Sequence, residues 1–446
     1  MNLVRMLSAR ATDGIPIRVG LIGAGRFGTM VLAQARVTPG IHVAAVADID
    51  PDRAHTALAL AQWPPLKAVA RSLADALDGG GTWVSSDAAA VTAAPDLDVV
   101  IEATGCVPAA LRHAAAAIDA GTAVIMATLA ADLVAGPLLA ARAAEKGVVY
   151  SFASGDRPAE ICALVEEARA NGFEVAAAGL GTRHLPAFHA ATPTTAWEMA
   201  GIDPIRARAS GLNPRTTAAA LDGTKAALTM AAVANATGLD VPEAGLSFHP
   251  CGAHDLARLF RPREDGGLLD RMGVVEAASS LERDGREVIG GLPQGAWVTV
   301  RPQGHFATAC LSESALTTDP MDAYAALWRP WRLGGLGVGH AVASAALRRE
   351  PEAAPRAFTA DVVAVAKRDL RPGEVLDAVG GDCVRGQLMA APRSLDQGAL
   401  PVGLADVPVV RPVPAGAMLT WDDVDIDESA EAVLLRRAME DEISLE

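Results

Sequence analysis

The sequence predicts an α/β protein: an N-terminal doubly wound Rossmann sheet, an α+β substrate and dimerisation domain, and a small β-rich module. Three observations predict it. A strand-length apolar run, 17–22, leads directly into Gly23-Ala24-Gly25-Arg26-Phe27-Gly28. Apolar strand-like runs then alternate with helical stretches as far as residue 152, the pattern of a parallel sheet. From about residue 360 short strands recur between Pro and Gly turns instead. The expected divisions are 1–155, 156–355 and 356–446.

The glycine motif carries the first chemical expectation. Gly23 permits the tight turn out of the strand, Gly25 lets backbone approach a pyrophosphate, and Gly28 lets helix and strand pack closely. Arg26 and Phe27 complete the turn, and the helix start that follows favours an anion. A second strand, 41–47, ends at Asp48, twenty residues after Gly28. There a carboxylate accepts hydrogen bonds from an adenosine ribose and repels a 2′-phosphate, which favours NAD, with NADP the alternative should Arg53 hold the phosphate. The strand 97–104 should bring Ala103, Thr104 and Gly105 to the cofactor at its C-terminal end. Strand 122–127 should do the same for Thr128. A strand at 148–152 completes the sheet, after helices at 107–120 and within 51–80 and a short strand near 83–86.

Composition narrows the class. The chain has 446 residues, 51% hydrophobic and only 4% aromatic, with a net charge of −15. Such a surface argues against nucleic acid or anionic membrane as partner. Five scattered cysteines without a C-x-x-C motif suit a reducing cytoplasm. Residues 1–14 lack the apolar core of a signal peptide. The apolar stretch 120–140 contains Asp132, Gly136 and Pro137, and reads as strand, turn and helix start rather than a membrane span. The expected partners are a small-molecule substrate and further copies of the chain, as dimer or tetramer.

After a turn at 154–158, a helix is expected at 159–171 and a strand at 173–178. Residues 184–215, rich in Pro, Thr and Gly, should be loop-dominated. Leu221-Asp222-Gly223-Thr224-Lys225 then opens an apolar helix running to about 235. Lysine is scarce here, the others being Lys67, Lys146 and Lys367. With Asp222 or Thr224 as N-cap, Lys225 falls in the first turn, where the helix dipole disfavours a cation and should lower its pKa towards the range useful for proton transfer. The alternative is a solvent-facing lysine. His249-Pro250-Cys251-Gly252-Ala253-His254 invites a zinc reading, but a full ligand set cannot be assembled from it, and no metal is expected. The C-terminal part should hold a strand at 362–366, a strand-turn-strand at 367–376, and a helical or frayed tail from 428 to 446.

The Rossmann opening, Asp98-Val99-Val100-Ile101-Glu102-Ala103-Thr104-Gly105, and Asp222-Gly223-Thr224-Lys225 with the helix after it resemble the homoserine-dehydrogenase-like oxidoreductases that carry a C-terminal SAF domain. That group includes the 1-deoxy-D-xylulose 5-phosphate reductoisomerase-like enzymes. Residues 364–374 are similar to the opening of SAF (β-clip) modules. The resemblance implies NAD(P)-dependent redox chemistry at a carbonyl or alcohol, with Lys225 exchanging the proton at the reacting oxygen and Asp222 orienting it. The chain departs from the reductoisomerase-like pattern: Leu180 and Thr182 stand where that pattern has lysines, and Thr128 and Ala130 where it has Asn and Glu. It also has an acid, Asp48, that the pattern lacks. The substrate is therefore expected to be a non-phosphorylated polyol, hydroxy acid or sugar derivative, or to have its phosphate held by Arg183, Arg206, Arg208 or Arg215. His184 is a further candidate for the substrate face. The rival readings are an isomerising redox enzyme and a non-catalytic NAD-binding subunit.

Overall fold

A computed structural model describes residues 2–67, 70–314 and 316–443. The chain packs as two compact units that interleave in sequence. One comprises Met1–Ala159, Leu333–Ala354 and Ser429–Glu446, the other Glu160–Arg332 and Pro355–Glu428.

The first unit is built on six parallel strands: β1 (Ile17–Ile22), β2 (Ile41–Ala47), β3 (Trp83–Ser85), β4 (Val99–Glu102), β5 (Ala123–Met126) and β6 (Tyr150–Phe152). Their order, β3-β2-β1-β4-β5-β6, is that of a doubly wound dinucleotide-binding sheet. The apolar runs are buried on both faces, as a parallel sheet requires, with Ile17, Leu21, Val46, Val99 and Ile125 all shielded from solvent. An unanticipated helix, Leu3–Thr12, opens the chain, started by the Asn2 side chain accepting from the Val4 N–H. Two late segments return to this unit. Gly335 packs where a Cβ would lie 2.5 Å from the Phe27 carbonyl, and Val338, Ala341 and Val342 join the core. The acidic tail forms the helix Glu431–Ile443, whose buried Arg436 donates to the Leu133 carbonyl at 3.2 Å. Residues 68–69 of the stretch expected to be helix and loop, and 444–446 of the tail, lie outside the described residues.

The second unit holds a mixed sheet of β7 (Glu174–Thr182), β8 (His249–Pro250), β9 (Val274–Ser279), β10 (Ala296–Arg301), β11 (Thr317–Thr318) and β12 (Ala325–Arg329), in the order β11-β12-β10-β7-β9-β8. The first of these strands runs four residues beyond the expected 178. Gly179 and Gly181 belong in it because a Cβ at either would strike Trp297 or Leu292. The helix Thr224–Thr237 is buried nearly all round, as a central helix should be. It packs on β7 and β9, and on a ribbon of β13 (Ala360–Ala366) and β14 (Val384–Ala390). The expected strand-turn-strand at 367–376 is reduced to single bridges, Leu370 to Val413 and Val375 to Pro408.

The expectation of a loop across 184–215 is corrected. The segment forms short helices, Pro186–Ala190, Ala196–Ala200, Pro204–Ala209 and the start of Pro214–Leu221. Pro at the first turn and Asp203 and Asn213 as N-caps start the last two, so the residues read as loop formers are helix starters here.

One buried acid leaves a signature in the first unit. Pro137 lies inside the helix Leu129–Glu145, where it forces Ala135 out of helical geometry. Asp132, one turn earlier and fully buried, accepts from the Tyr150 hydroxyl at 2.8 Å. Burial raises its carboxyl to about pKa 7. A carboxyl raised above its unfolded value of about 3.9 binds more protons folded than unfolded, so its contribution to stability is present in acid and is lost as pH rises through about 7. Asp132→Asn, which mimics the protonated form, should flatten the decline in Tm between about pH 4 and 7 and be the more stable protein above that range. Parallel Tm–pH curves for the two proteins would refute the assignment.

Candidate functional site

The glycine turn is assembled as its sequence requires. Gly23 adopts φ 100°, and a Cβ there would meet the Ala103 carbonyl at 2.5 Å. At Gly28 a Cβ would come within 2.1 Å of the Gly23 carbonyl. Gly25 differs: a Cβ would meet nothing within 4 Å. It is the N-cap of the helix Arg26–Ala35, and among the described residues there is no side-chain cap hydrogen bond there. An uncapped helix start beneath open space, at the switch point between β1 and β4, fits a dinucleotide pyrophosphate.

Asp48 is buried and bound into this turn. Its Oδ2 accepts from the Ala24 N–H at 2.8 Å and its Oδ1 from the Asp50 N–H at 3.0 Å, while Arg53 lies 3.6 Å from Oδ1. The carboxylate and Arg53 are thus neighbours. Thr128 is likewise engaged. Its hydroxyl donates to Glu102 at 2.5 Å and accepts from the Gly105 N–H at 3.0 Å, and Glu102 also accepts from the Thr104 N–H at 3.2 Å. Glu102, with His113 3.5 Å away, pins the turn containing Ala103, Thr104 and Gly105. Its signal in the sequence was an acid closing an otherwise apolar strand.

In the second unit Lys225 is half-buried in the first turn of the helix Thr224–Thr237. The expected N-cap is corrected: Gly223, at φ 88°, takes that position because the chain enters through the left-handed region. Asp222, immediately before it, accepts from the Thr224 N–H at 2.9 Å and forms a buried ion pair with Lys367, 2.7 Å away. Lys367 also donates to the carbonyls of Ala191 at 2.6 Å and Gly381 at 2.8 Å. A Cβ on Gly223 would touch both Phe248 and His184. These two rings stack with centroids 3.9 Å apart, and His189 lies 5.0 Å from His184. Burial lowers both imidazoles to about pKa 4, so they are neutral near pH 7. Phe248 has φ 48°, a strained conformation for a bulky residue.

Of the candidates for the substrate face, His184 is gathered here with Asp222 and Lys225. Arg183 pairs with Glu287, and Arg215 donates to the Asp377 carbonyl. Arg206 and Arg208 are exposed on the short helix Pro204–Ala209. His249 forms part of β8, and among the described residues no three His, Cys, Asp or Glu side chains group as a metal site. Lys367, Arg385, His189 and Phe248 were not singled out for this site. Scarcity was the only signal for Lys367; the others become visible once the ribbon is folded against the helix.

Residues 155–338 match the family model described as the catalytic domain of oxidoreductase DRL, a segment that contains Lys225 and Asp222. No curated protein matches the chain. Among solved structures, a probable dehydrogenase from Thermotoga maritima is similar over 75% of this chain and 90% of its own, at 13% identity and TM-score 0.37. Myo-inositol dehydrogenase from Lactobacillus casei, in complex with NAD(H) and myo-inositol, is 18% identical over 41% of this chain and 50% of its own, at TM-score 0.28. An oxidoreductase from Agrobacterium radiobacter in complex with NAD+, L-tartaric acid and magnesium is 17% identical over 37% of this chain, at TM-score 0.28; the chain spans 44% of its length. Likeness at this level bears on neither substrate nor catalytic residues.

The two glycines make separable predictions. Gly25→Val has room for its side chain and should cost only about 1 kcal/mol of stability while abolishing NADH binding, read by nucleotide fluorescence. Gly28→Ala should instead destabilise by roughly 1–3 kcal/mol, because the backbone must shift to admit the methyl group. Full NADH affinity in Gly25→Val would place the cofactor elsewhere.

Proposed function

We propose that the protein is an NAD(P)-dependent oxidoreductase, with NAD favoured, that acts on a CH–OH group of a small polyol, hydroxy acid or sugar derivative. The observation that carries this reading is the open, uncapped helix start at Gly25, at the switch point of a doubly wound sheet. The match of residues 155–338 to an oxidoreductase catalytic domain supports it. In this proposal Gly23, Gly25, Arg26, Phe27 and Gly28 cradle the pyrophosphate, Asp48 receives the adenosine ribose, and Ala103, Thr104, Gly105 and Thr128 line the nicotinamide end. A nicotinamide bound there would supply hydride transfer to or from the carbinol carbon. Lys225 takes the hydroxyl proton as the C–O bond becomes a carbonyl, and gives it back in the reverse direction. Asp222 acts as a positioning residue, through its bonds to Thr224 and Lys367.

The homoserine-dehydrogenase-like assignment belongs to the same proposal. So does its division of labour: a cofactor domain over 1–155, a catalytic domain over 156–355 and a SAF-like module over 356–446, working in a cytoplasmic homo-oligomer. A second reading couples the redox step to an α-ketol rearrangement. The likeness of 222–225 and of the helix after it to reductoisomerase-like enzymes favours that reading, which would also call for a divalent metal.

Lys225→Ala should lose roughly 100-fold or more in turnover while binding NADH as the native protein does, in a panel of polyols, hydroxy acids and sugar phosphates followed by NADH absorbance. Unchanged turnover would remove Lys225 from the mechanism, and a rearranged carbon skeleton in the product would select the isomerising reading. NADH should also bind more tightly than NADPH in fluorescence titrations; the opposite order would mean that Arg53, not Asp48, governs the ribose end.

A further inference from the structure

We propose that Arg385 is the anion anchor of the Lys225 site and that the substrate carries an ionised carboxylate or phosphate group, which its guanidinium binds. The proposal rests on the assignment of substrate chemistry to the Lys225 cluster, and extends it to a residue of the C-terminal ribbon.

Arg385 lies on β14, opposite Val365 of β13. Its neighbour Gly386 donates its N–H to the Thr224 hydroxyl at 2.8 Å, and a Cβ on Gly386 would crowd the Thr224 methyl at 2.9 Å. The strand is therefore seated directly against the start of the helix that carries Lys225. From this position the Arg385 charge acts on His184, His189 and Asp222, groups that come from two other parts of the chain.

The charge balance of the cluster favours an anionic ligand. Asp222 is the carboxylate near Arg385, but it is already neutralised by Lys367, which spends its remaining donors on two backbone carbonyls. Arg385 has no carboxylate partner among the described residues and donates to the neutral Gln387 side chain at 3.2 Å. The two histidines on which its charge acts are neutral near pH 7. A half-buried guanidinium without a counter-ion carries a desolvation cost, which an incoming anion offsets. Its planar donors suit a carboxylate or phosphate held by two parallel bonds. Such an uncompensated cation stands out in a chain of net charge −15. By contrast, Arg183 and Arg215 are committed elsewhere within the same unit.

The test uses the full-length protein saturated with NADH, so that the glycine turn is filled, and titrates inorganic phosphate and malonate against chloride at equal ionic strength by calorimetry. The native protein should bind at least one of them. Phosphate alone would indicate a phosphorylated substrate, and malonate alone a carboxylate. Arg385→Gln should weaken that binding roughly tenfold or more, with NADH affinity unchanged, and Arg385→Lys should fall between the two. Equal anion affinity in all three proteins, or no anion binding by the native one, would overturn the proposal. If Lys225→Ala keeps its turnover while Arg385→Gln still loses the anion, the proton-transfer role fails and the anchor stands. Should NADH itself fail to bind, the same titration without it still tests Arg385.

Discussion

The second unit depends on one buried ion pair, Asp222 with Lys367. Neither side chain reaches solvent appreciably, so each would carry a large desolvation cost alone. Lys367 donates to the carbonyls of Ala191 and Gly381 and lies 2.7 Å from Asp222 Oδ2 as its counter-charge, while the other Asp222 oxygen accepts from the Thr224 N–H. Removing one partner of such a pair typically costs roughly 3–5 kcal/mol, because the survivor remains buried and charged. This geometry fixes three things together: the first turn of the Lys225 helix, the segment after His189, and the end of β13. The far end of the same helix is held in a similar way. There the Asn235 side chain accepts from the Thr359 and Ala360 N–H groups and donates to the Ala360 carbonyl. The ribbon is thus bonded to the helix at both ends, and Arg385 is presented from a strand with little freedom to move.

The first unit solves a different problem, that of leaving backbone N–H groups available at a helix start. Gly23 and Gly28 are packed against backbone so closely that no side chain fits, and Gly25 between them faces open space. Asp48 stabilises the arrangement from beneath by accepting the Ala24 N–H. The acid proposed to receive a ribose therefore also shapes the turn proposed to receive the pyrophosphate. Glu102 does the equivalent at the end of β4, where the Thr104 N–H and the Thr128 hydroxyl converge on its carboxylate.

Much of this was legible in the residues. The parallel strands were, because each apolar run is bounded by Gly, Asp or Thr and buried on both faces. The glycine turn was, because its three glycines have distinct steric reasons at fixed spacing. The start of the Lys225 helix was legible to within one residue, the error being the expectation of Asp222 or Thr224 as N-cap where the structure has Gly223. Residues 184–215 were misjudged because Pro, Asp and Asn start helices as readily as they build turns, and only packing distinguishes the two. The strands expected at 367–376 dissolved into single bridges for a related reason: pattern announces extended chain, but not whether a partner strand lies alongside it.

The sequence by itself determined the nucleotide-type sheet, its glycine turn and the position of Lys225 in the first turn of an apolar helix. These depend on interactions between residues close in the chain, where periodicity, capping and glycine sterics act. Only the tertiary structure decided that Asp222 is balanced by Lys367, 145 residues away in sequence, and that Arg385, whose charge acts on two neutral histidines, has no carboxylate partner among the described residues. Charges separated by that much chain interact only after the backbone has brought them together. Their pairing follows from packing, to which the local pattern of residues is blind.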